Sequence, residues 1–360
     1  MHKKLFIPGP TEVRPEILQE MARPMIGHRS AEFKALLAEV TPKLQKLLYT
    51  QNRVFLFTSS STGAMEAAVR NCVAKRCLNL VCGAFSRHWH EITLANGKEA
   101  DALEVGWGRA ILPEMVDEKL KTGKYDAVTL VHNETSTGVM SPLYEIAEVM
   151  RRYPDVIFMV DAVSSMAGVK IEVDKLGIDV CLAGVQKAFA LPPGLTVVSV
   201  SEKALRKAEQ VQNRGYYFDF LVFKRYLDER GQTPTTPAIS QMYALNKQMD
   251  DIFAEGLEER FARHQRMADY VREWARENFA LFAQPGYESN TVTAIRNTKG
   301  ISVVKLNEEL GKRGAMISNG YGPLKEKTFR IAHMGDIQLQ DLEELIGWID
   351  EIIAAGLAQA

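Results

Sequence analysis

Short apolar runs alternate with longer stretches of helical periodicity through the first two-thirds of the chain. The apolar runs fall at residues 54–57, 78–82, 102–105, 127–131, 156–160, 180–183 and 195–200. Between most of them, apolar residues recur three and four apart, as over 64–74, 113–120 and 143–151, which predicts helices. Several runs are apolar at consecutive positions, as expected of strands covered on both faces. Strands alternating with helices predict right-handed crossovers and a mostly parallel central sheet with helices on both faces, an α/β fold. Upstream, residues 1–15 read as an extended arm punctuated by Pro8, Pro10 and Pro15, and 31–48 as a helix. From about Ala238 the pattern changes. One long helix is predicted up to Phe279, with charge pairs such as Glu259 and Arg263 four apart. Short strands (291–295, 328–331) and helices (303–313, 339–355) follow, as in a smaller α+β unit whose boundary falls inside the long helix.

Length and composition narrow the class. At about 150 residues per domain, 360 residues correspond to roughly two domains. With 46% hydrophobic and 25% charged residues, the chain can bury a large core. A formal net charge of −1 supplies no electrostatic case for nucleic acid or an anionic membrane as partner. Leu5-Phe6-Ile7 is too short for the apolar region of a signal peptide. The apolar stretch 188–201 is too short for a membrane span and is broken by Pro192-Pro193-Gly194. Four cysteines with no disulfide framework suit a reducing compartment, so a cytoplasmic location is expected.

In open α/β sheets ligands bind beyond the carboxyl ends of the strands, so the polar residues after each apolar run carry the chemistry. After 54–57 comes Thr58-Ser59-Ser60-Ser61-Thr62-Gly63, leading into a helix. Small hydroxyl residues and a glycine there can surround a phosphate, or act as an ordinary cap. After 156–160 comes Asp161, readable as a helix cap, a metal ligand or the partner of a ligand cation. After 180–183 comes Gly184-Val185-Gln186-Lys187. Burial would lower the pKa of Lys187 and make it a Schiff-base nucleophile; in the plainer alternative it reaches solvent from a loop. A phosphate cup, a strand-end Asp and a strand-end Lys together are what pyridoxal phosphate requires.

At these residues the chain resembles the class V aminotransferases among the fold-type I pyridoxal-phosphate enzymes, especially the alanine/serine–glyoxylate group. The resemblance runs over nearly the whole chain, through PGPTEV (8–13), GHRSAEF (27–33), SSSTGAMEAA (59–68), GAFSR (83–87), HNETSTGV (132–139), VDAVSS (160–165), GVQKAFALPPG (184–194), TPTTPA (233–238) and FRIAHMG (329–335). It implies a large cofactor-binding domain over 16–255. It also implies a small domain made of the arm 1–15 and the α+β region 256–360. Lys187 matches the lysine that carries the cofactor, and Asp161 the partner of its ring nitrogen. Val163 and Phe85 match the residues covering the two ring faces, and Thr135 the hydroxyl bonded to the phenolic oxygen. Ser61, Thr62 and Gly63 match the phosphate cup, with Gln186 as a further contact. The resemblance also implies a homodimer with composite sites, in which Gln232 and Thr235 stand where the partner's phosphate ligands would be. Gln232 departs from the aromatic hydroxyl of some relatives, and the cup has less glycine than is usual. Arg330 matches the arginine that clamps a substrate carboxylate, and His28 and Arg29 lie on a loop near the site. The implied activity moves an amino group from a small amino acid, such as serine or alanine, to a small keto acid, such as glyoxylate or pyruvate.

Other readings bear on the same residues. Transamination of 2-aminoethylphosphonate or ureidoglycine, or a lyase reaction, would use the same scaffold. A non-enzymatic hydrogenase-associated subunit would have no need of Lys187 and Asp161. Cys72, Cys77 and Cys82, five apart, lack the CxxC spacing of a metal cluster. A desulfurase would need a mobile cysteine late in the chain, and the last is Cys181 beside the predicted core. His88 and His90 read as surface or packing residues.

Overall fold

The computed structural model describes residues 2–359. In chain order the elements are β1 (Lys4–Phe6), α1 (Pro15–Glu20), α2 (Ala31–Leu47), β2 (Arg53–Phe57), α3 (Ser61–Cys72), β3 (Arg76–Val81), α4 (Ala84–Ala95), β4 (Glu99–Glu104) and α5 (Pro113–Leu120). Then come β5 (Ala127–Val131), β6 (Asn133–Glu134), β7 (Val139–Met140), α6 (Leu143–Met150), β8 (Ile157–Asp161), α7 (Val173–Leu176), β9 (Val180–Gly184), β10 (Thr196–Val200), α8 (Glu202–Gln210) and α9 (Phe220–Arg230). The remainder comprises α10 (Ile239–Glu255), α11 (Leu257–Asn278), β11 (Ala280–Leu281), β12 (Val292–Arg296), α12 (Val303–Lys312), β13 (Ala315–Asn319), β14 (Thr328–Ala332) and α13 (Leu339–Ala354).

Seven strands form the main sheet in the order β2-β10-β9-β8-β5-β3-β4, all parallel except β10, which runs against both neighbours. Side-chain alternation divides its apolar residues between two cores. Val54, Leu56, Leu78, Leu80, Val128, Leu130, Phe158, Val160, Cys181 and Ala183 face one core, which α2, α5, α6 and α10 complete with Phe33, Val116, Ile146 and Met242. Phe55, Phe57, Cys77, Val131, Ile157, Met159, Val180, Leu182 and Val198 face the other, covered by α3, α4, α8 and α9 through Met65, Trp89, Leu205 and Phe223. Both faces are dry, which is why these strands read as continuous apolar runs.

The second sheet, β1-β13-β14-β12-β11, packs against α11, α12 and α13. It extends one expectation and corrects another. Within the extended arm 1–15, Lys4–Phe6 is a strand paired parallel to β13, and Phe6 is buried in this second core. The long helix over 238–279 is two helices broken at Gly256, whose φ of +89° an L side chain disfavours. The break also reassigns the charges. Arg263 pairs with Glu255 (2.6 Å), while Glu259 pairs with Arg266 instead of with Arg263. Arg260, almost wholly buried, crosses between the sheets. It donates to the carbonyls of Ala167 and Ala188 (2.8 Å each) and pairs with Asp336 (3.3 Å). That ties the loop after Lys187 to the segment after β14.

Candidate active site

The chain leaves β2, β3, β5, β8 and β9 at the same edge of the main sheet, because these five strands are parallel. The segments that follow them converge on one cavity of about 470 Å³, within the range of small-molecule sites. Ser61, Thr62, Phe85, Thr135, Asp161, Val163, Gln186 and Lys187 all line it. Larger clefts open elsewhere, such as one of about 680 Å³ beside Arg276 and Phe282, whose lining holds no lysine.

Ser60 stands at the N-cap of α3 but its side chain accepts no backbone N–H, unlike Ser30, Ser201 and Ser302, which cap their helices. The neighbouring Ser61 hydroxyl is buried with no hydrogen-bond partner. An uncapped helix start beside an orphaned hydroxyl is a place for an anion, and the capping alternative does not hold here. Gln186 reaches the same corner: a Cβ on Gly184 would lie 2.3 Å from Ser61 Oγ and 2.4 Å from Gln186 Oε1. Gly63 does not line the cavity; its missing side chain leaves room for the Phe218 ring.

Asp161 is the last residue of β8 and is 3% exposed. Its Oδ1 accepts the Val163 amide (2.7 Å), and no group among the described residues bonds Oδ2. Burial lifts its pKa to about 7; the Val163 N–H opposes the rise, the Glu134 charge adds to it, and Lys187 opposes it. Lys187 is half-buried, and its loss of solvent lowers its pKa to about 8, opposed by Asp161 and reinforced by Arg330. Its Nζ donates to the Pro8 carbonyl. The arm continues across the same residue: Thr11 donates from N to the Gln186 carbonyl (3.1 Å) and from Oγ1 to the Lys187 carbonyl (2.9 Å). At Gly9, with φ +122°, a Cβ would collide with the Lys187 side chain at 2.5 Å, so only glycine lets the arm lie there.

These shifts set the pH response of the unliganded protein. Folded Asp161 keeps its proton to about pH 7, against 3.8 in an unfolded chain, so the folded state binds more protons between those values. Its contribution to stability is full below about pH 4 and is lost as pH rises through 7. Lys187 acts in the opposite sense between about 8 and 10.5, where stability returns as pH rises. Thermal unfolding scans should show Tm falling from pH 4.5 to 7 in the unliganded wild type. Asp161→Asn should lack that slope, and an equal slope in both would remove Asp161 as its source.

Three features of the site escape sequence reasoning. Glu134 is fully buried and collects donors from the start of α4, Phe85 N (3.2 Å), Ser86 N (2.9 Å) and Ser86 Oγ (2.9 Å), and from its own loop, Ser136 N (3.2 Å) and Ser136 Oγ (2.6 Å). It fixes the turn that presents Phe85. Gly83 has no space for a Cβ because Glu134 Cγ would lie 2.5 Å away. Trp107 and Tyr321 also line the cavity, from segments with no periodic pattern. A lone acidic residue just after a strand buried on both faces was the available signal for Glu134; the two aromatics carried none.

Arg330 lies on β14, 8% exposed, just outside the lining. Its Nε and Nη2 donate to the Asn319 carbonyl (3.2 and 3.1 Å) and its Nη1 to the Thr135 carbonyl (3.2 Å). Three of five N–H donors are thus used and two remain. Burial lowers its pKa to about 10, against the effects of Tyr321 and Glu134. His28, Gln232 and Thr235 do not line this cavity. Arg29 instead grips the 232–234 segment of its own chain, donating to the carbonyls of Thr233 (2.5 Å) and Pro234 (3.0 Å) and to Gln232 Oε1 (3.3 Å), while Gln232 Nε2 donates back to the Arg29 carbonyl (3.1 Å). His88 sits at the cavity mouth, and His90 bonds Asn79 Oδ1 (3.0 Å). The four cysteines are free and buried; burial pushes the Cys181 thiol well above its ordinary range, the reverse of a nucleophile.

A protein-family model described as aminotransferase class-V matches residues 11–335. An uncharacterized aminotransferase of Methanocaldococcus jannaschii is 42% identical, over 92% of this chain and 88% of its own. The serine–glyoxylate aminotransferase of Methylorubrum extorquens is 32% identical, over 92% of this chain and 86% of its own. Among solved structures, the alanine–glyoxylate aminotransferase of Nostoc sp. superposes with a TM-score of 0.92 at 27% identity, covering 98% of this chain and 96% of that one.

Proposed function

Because the chain belongs to the class V aminotransferase family and is a pyridoxal-phosphate-dependent transaminase, we propose that it moves an amino group from serine or alanine to glyoxylate or pyruvate. One observation carries the reading: a half-buried lysine, a buried carboxylate and an uncapped helix start open into the same small cavity. The glyoxylate in the names of the serine- and alanine-dependent relatives supports the acceptor.

The residues present fit the cofactor, since the orphaned Ser61 hydroxyl and the free Asp161 Oδ2 are what a phosphate and a protonated ring nitrogen would complete. When bound, pyridoxal phosphate supplies an electron-withdrawing ring that stabilises negative charge at the donor's Cα. Ser61 and Thr62 at the start of α3, with Gln186, would hold its phosphate, while Gly63 stays outside the lining with its N–H on the Ser60 carbonyl. Val163 and Phe85 would cover the ring faces, and the Thr135 hydroxyl would meet the phenolic oxygen. Asp161, made ionic by a cation at Oδ2, keeps the ring nitrogen's proton in place. Lys187, with a pKa brought near neutrality, can take a proton from Cα and return it elsewhere without a large free-energy step. Arg330 offers its two remaining N–H groups to the substrate carboxylate, and His28 lies on the loop where a further substrate contact is expected.

The unit over 16–255 binds the cofactor in this reading, with 1–15 and 256–360 closing the site. Gln232, which Arg29 holds outside the lining of its own cavity, and Thr235 belong to the phosphate site of a second copy, so the active form is a homodimer. A fully active monomer in sedimentation at assay concentration would contradict that part. No helix among the described residues is long and apolar enough to cross a membrane, and four unpaired thiols suit the cytoplasm.

Steady-state assays with serine, alanine, aspartate and 2-aminoethylphosphonate against glyoxylate and pyruvate test the substrates. Serine or alanine should give the highest kcat/KM, with the parallel reciprocal plots of a ping-pong cycle. Preference for the phosphonate would overturn the assignment. Arg330→Lys should raise KM for donor and acceptor together, because one clamp serves both half-reactions, and leave cofactor affinity nearly unchanged. A lysine presents a point charge where arginine presents a planar fork, and the loss should be about 2–5 kcal/mol. Unchanged KM in a folded variant would assign Arg330 to structure alone.

A further inference from the structure

One wall of the cavity comes from the second sheet. Tyr321 follows β13, has 41% of its surface exposed, and still lines the cavity around Lys187. Its ring centroid lies 5.3 Å from that of Phe85, tilted by 50°, and the Arg330 guanidinium carbon lies 5.6 Å from the same centroid. The tyrosine therefore bridges the aromatic on α4 and the arginine on β14.

The loop carrying this ring is held from several directions. The Asn319 side chain accepts the Gly320 and Glu326 amides (2.7 and 2.8 Å) and donates to Glu326 Oε1, while Glu326 Oε2 accepts the Val303 amide (2.8 Å). Gly320 N also donates to the Thr328 carbonyl (2.8 Å), and Leu324 N to the Tyr321 carbonyl (3.0 Å). At Gly320 a Cβ would lie 2.0 Å from the Leu324 carbonyl oxygen, so the turn is closed down on itself. The Asn319 carbonyl in the same segment accepts two of the Arg330 donors. One short, braced loop thus orients the guanidinium and places an aromatic wall beside it.

We propose that Tyr321 is a specificity-determining residue whose ring, fixed beside Arg330, limits the amino donor to a short side chain. This deepens the transaminase reading and rests on it. A carboxylate on the two free Arg330 donors would come close to the Tyr321 ring, whose centroid is 5.6 Å from the guanidinium carbon. A longer substituent must then displace the ring or leave the clamp. The braced loop resists the first, and losing a charge-assisted pair opposes the second. Tyr321→Ala opens that space without disturbing a buried core, since the ring is partly exposed.

The test is calorimetric binding of straight-chain carboxylates, from acetate to hexanoate, to the cofactor-loaded wild type, Tyr321→Phe and Tyr321→Ala. In the wild type and Tyr321→Phe, affinity should fall beyond propionate. In Tyr321→Ala the ratio of hexanoate to propionate affinity should rise at least tenfold, and kcat/KM for 2-aminohexanoate relative to alanine should rise with it. The same chain-length dependence in wild type and Tyr321→Ala would overturn the proposal, as would a Tyr321→Phe variant that behaves like Tyr321→Ala. If the carboxylate series behaves as stated while the wild type turns over neither serine nor alanine, the substrate reading falls and the role of Tyr321 stands.

Discussion

Lys187→Ala should still bind pyridoxal phosphate and should lose transamination by roughly 10⁴-fold or more, the upper end of what a positioned acid–base group contributes. Two observations separate these effects. The proposed phosphate contacts lie at the start of α3, on a different element from the lysine, so a weaker, non-covalent affinity survives the truncation. The Lys187 amine is the one amine among the described residues lining the cavity, and burial brings its pKa to about 8, so it is partly neutral near physiological pH. Alanine leaves no group there to move the Cα proton. Borohydride should fix the cofactor to the wild-type peptide containing Lys187, and peptide mass spectrometry should find no such adduct in the variant. Turnover within tenfold of wild type would show that another group carries the proton. An adduct on another lysine would displace the assignment altogether.

The main sheet was legible because burial on both faces forces long apolar runs. Residues 127–131 form a strand with the expected bounds, and 54–57 and 180–183 each gain one residue. What sequence reasoning lost were elements that tertiary contacts create. Lys4–Phe6 is a strand because β13, over three hundred residues later, supplies its partner. The hairpin β6–β7 has two residues in each strand, too few for any periodicity to register. The break at Gly256 hid inside a helical pattern because α10 and α11 are each strongly helical, and a lone glycine does not tell a kink from a tolerated defect.

The candidate site was legible to the extent that function is concentrated after strand ends. Asp161, Gln186 and Lys187 could be placed because each follows an apolar run, and parallel strands bring such positions to one edge. Arg330, on β14, was found by resemblance, since nothing in residues 328–332 says which way the second sheet turns. Glu134 illustrates the remainder. Its value depends on five donors, three of them on Phe85 and Ser86, almost fifty residues upstream, and that pairing exists only after β3 and β5 have aligned. The wall formed by Tyr321 depends in the same way on how the two sheets meet.

Asp161→Asn should keep the cofactor bound and slow proton abstraction severely. The amide is nearly isosteric, and its oxygen can go on accepting the Val163 N–H, so the turn after β8 stays intact. What changes is Oδ2, which becomes an N–H₂ group facing the cation it should stabilise. A buried carboxylate whose own pKa is lifted to about 7 is poorly solvated, so a cation beside it gains more than it would in water. Removing one partner from such a pair costs about 2–5 kcal/mol, which corresponds to a roughly 30- to 4,000-fold loss in the rate of Cα deprotonation. That step can be read directly as the primary isotope effect and rate with Cα-deuterated alanine in single-turnover mixing. The absorption of the bound cofactor should shift as well, because the ring nitrogen loses its proton near neutral pH, and a merely structural role would leave that spectrum in place. Asp161→Glu keeps the charge but adds a methylene and crowds the cavity, so its spectrum should stay closer to wild type than that of Asp161→Asn even where its rate is low. A rate within a few-fold of wild type in Asp161→Asn, with an unchanged spectrum, would reduce Asp161 to a cap on the Val163 turn.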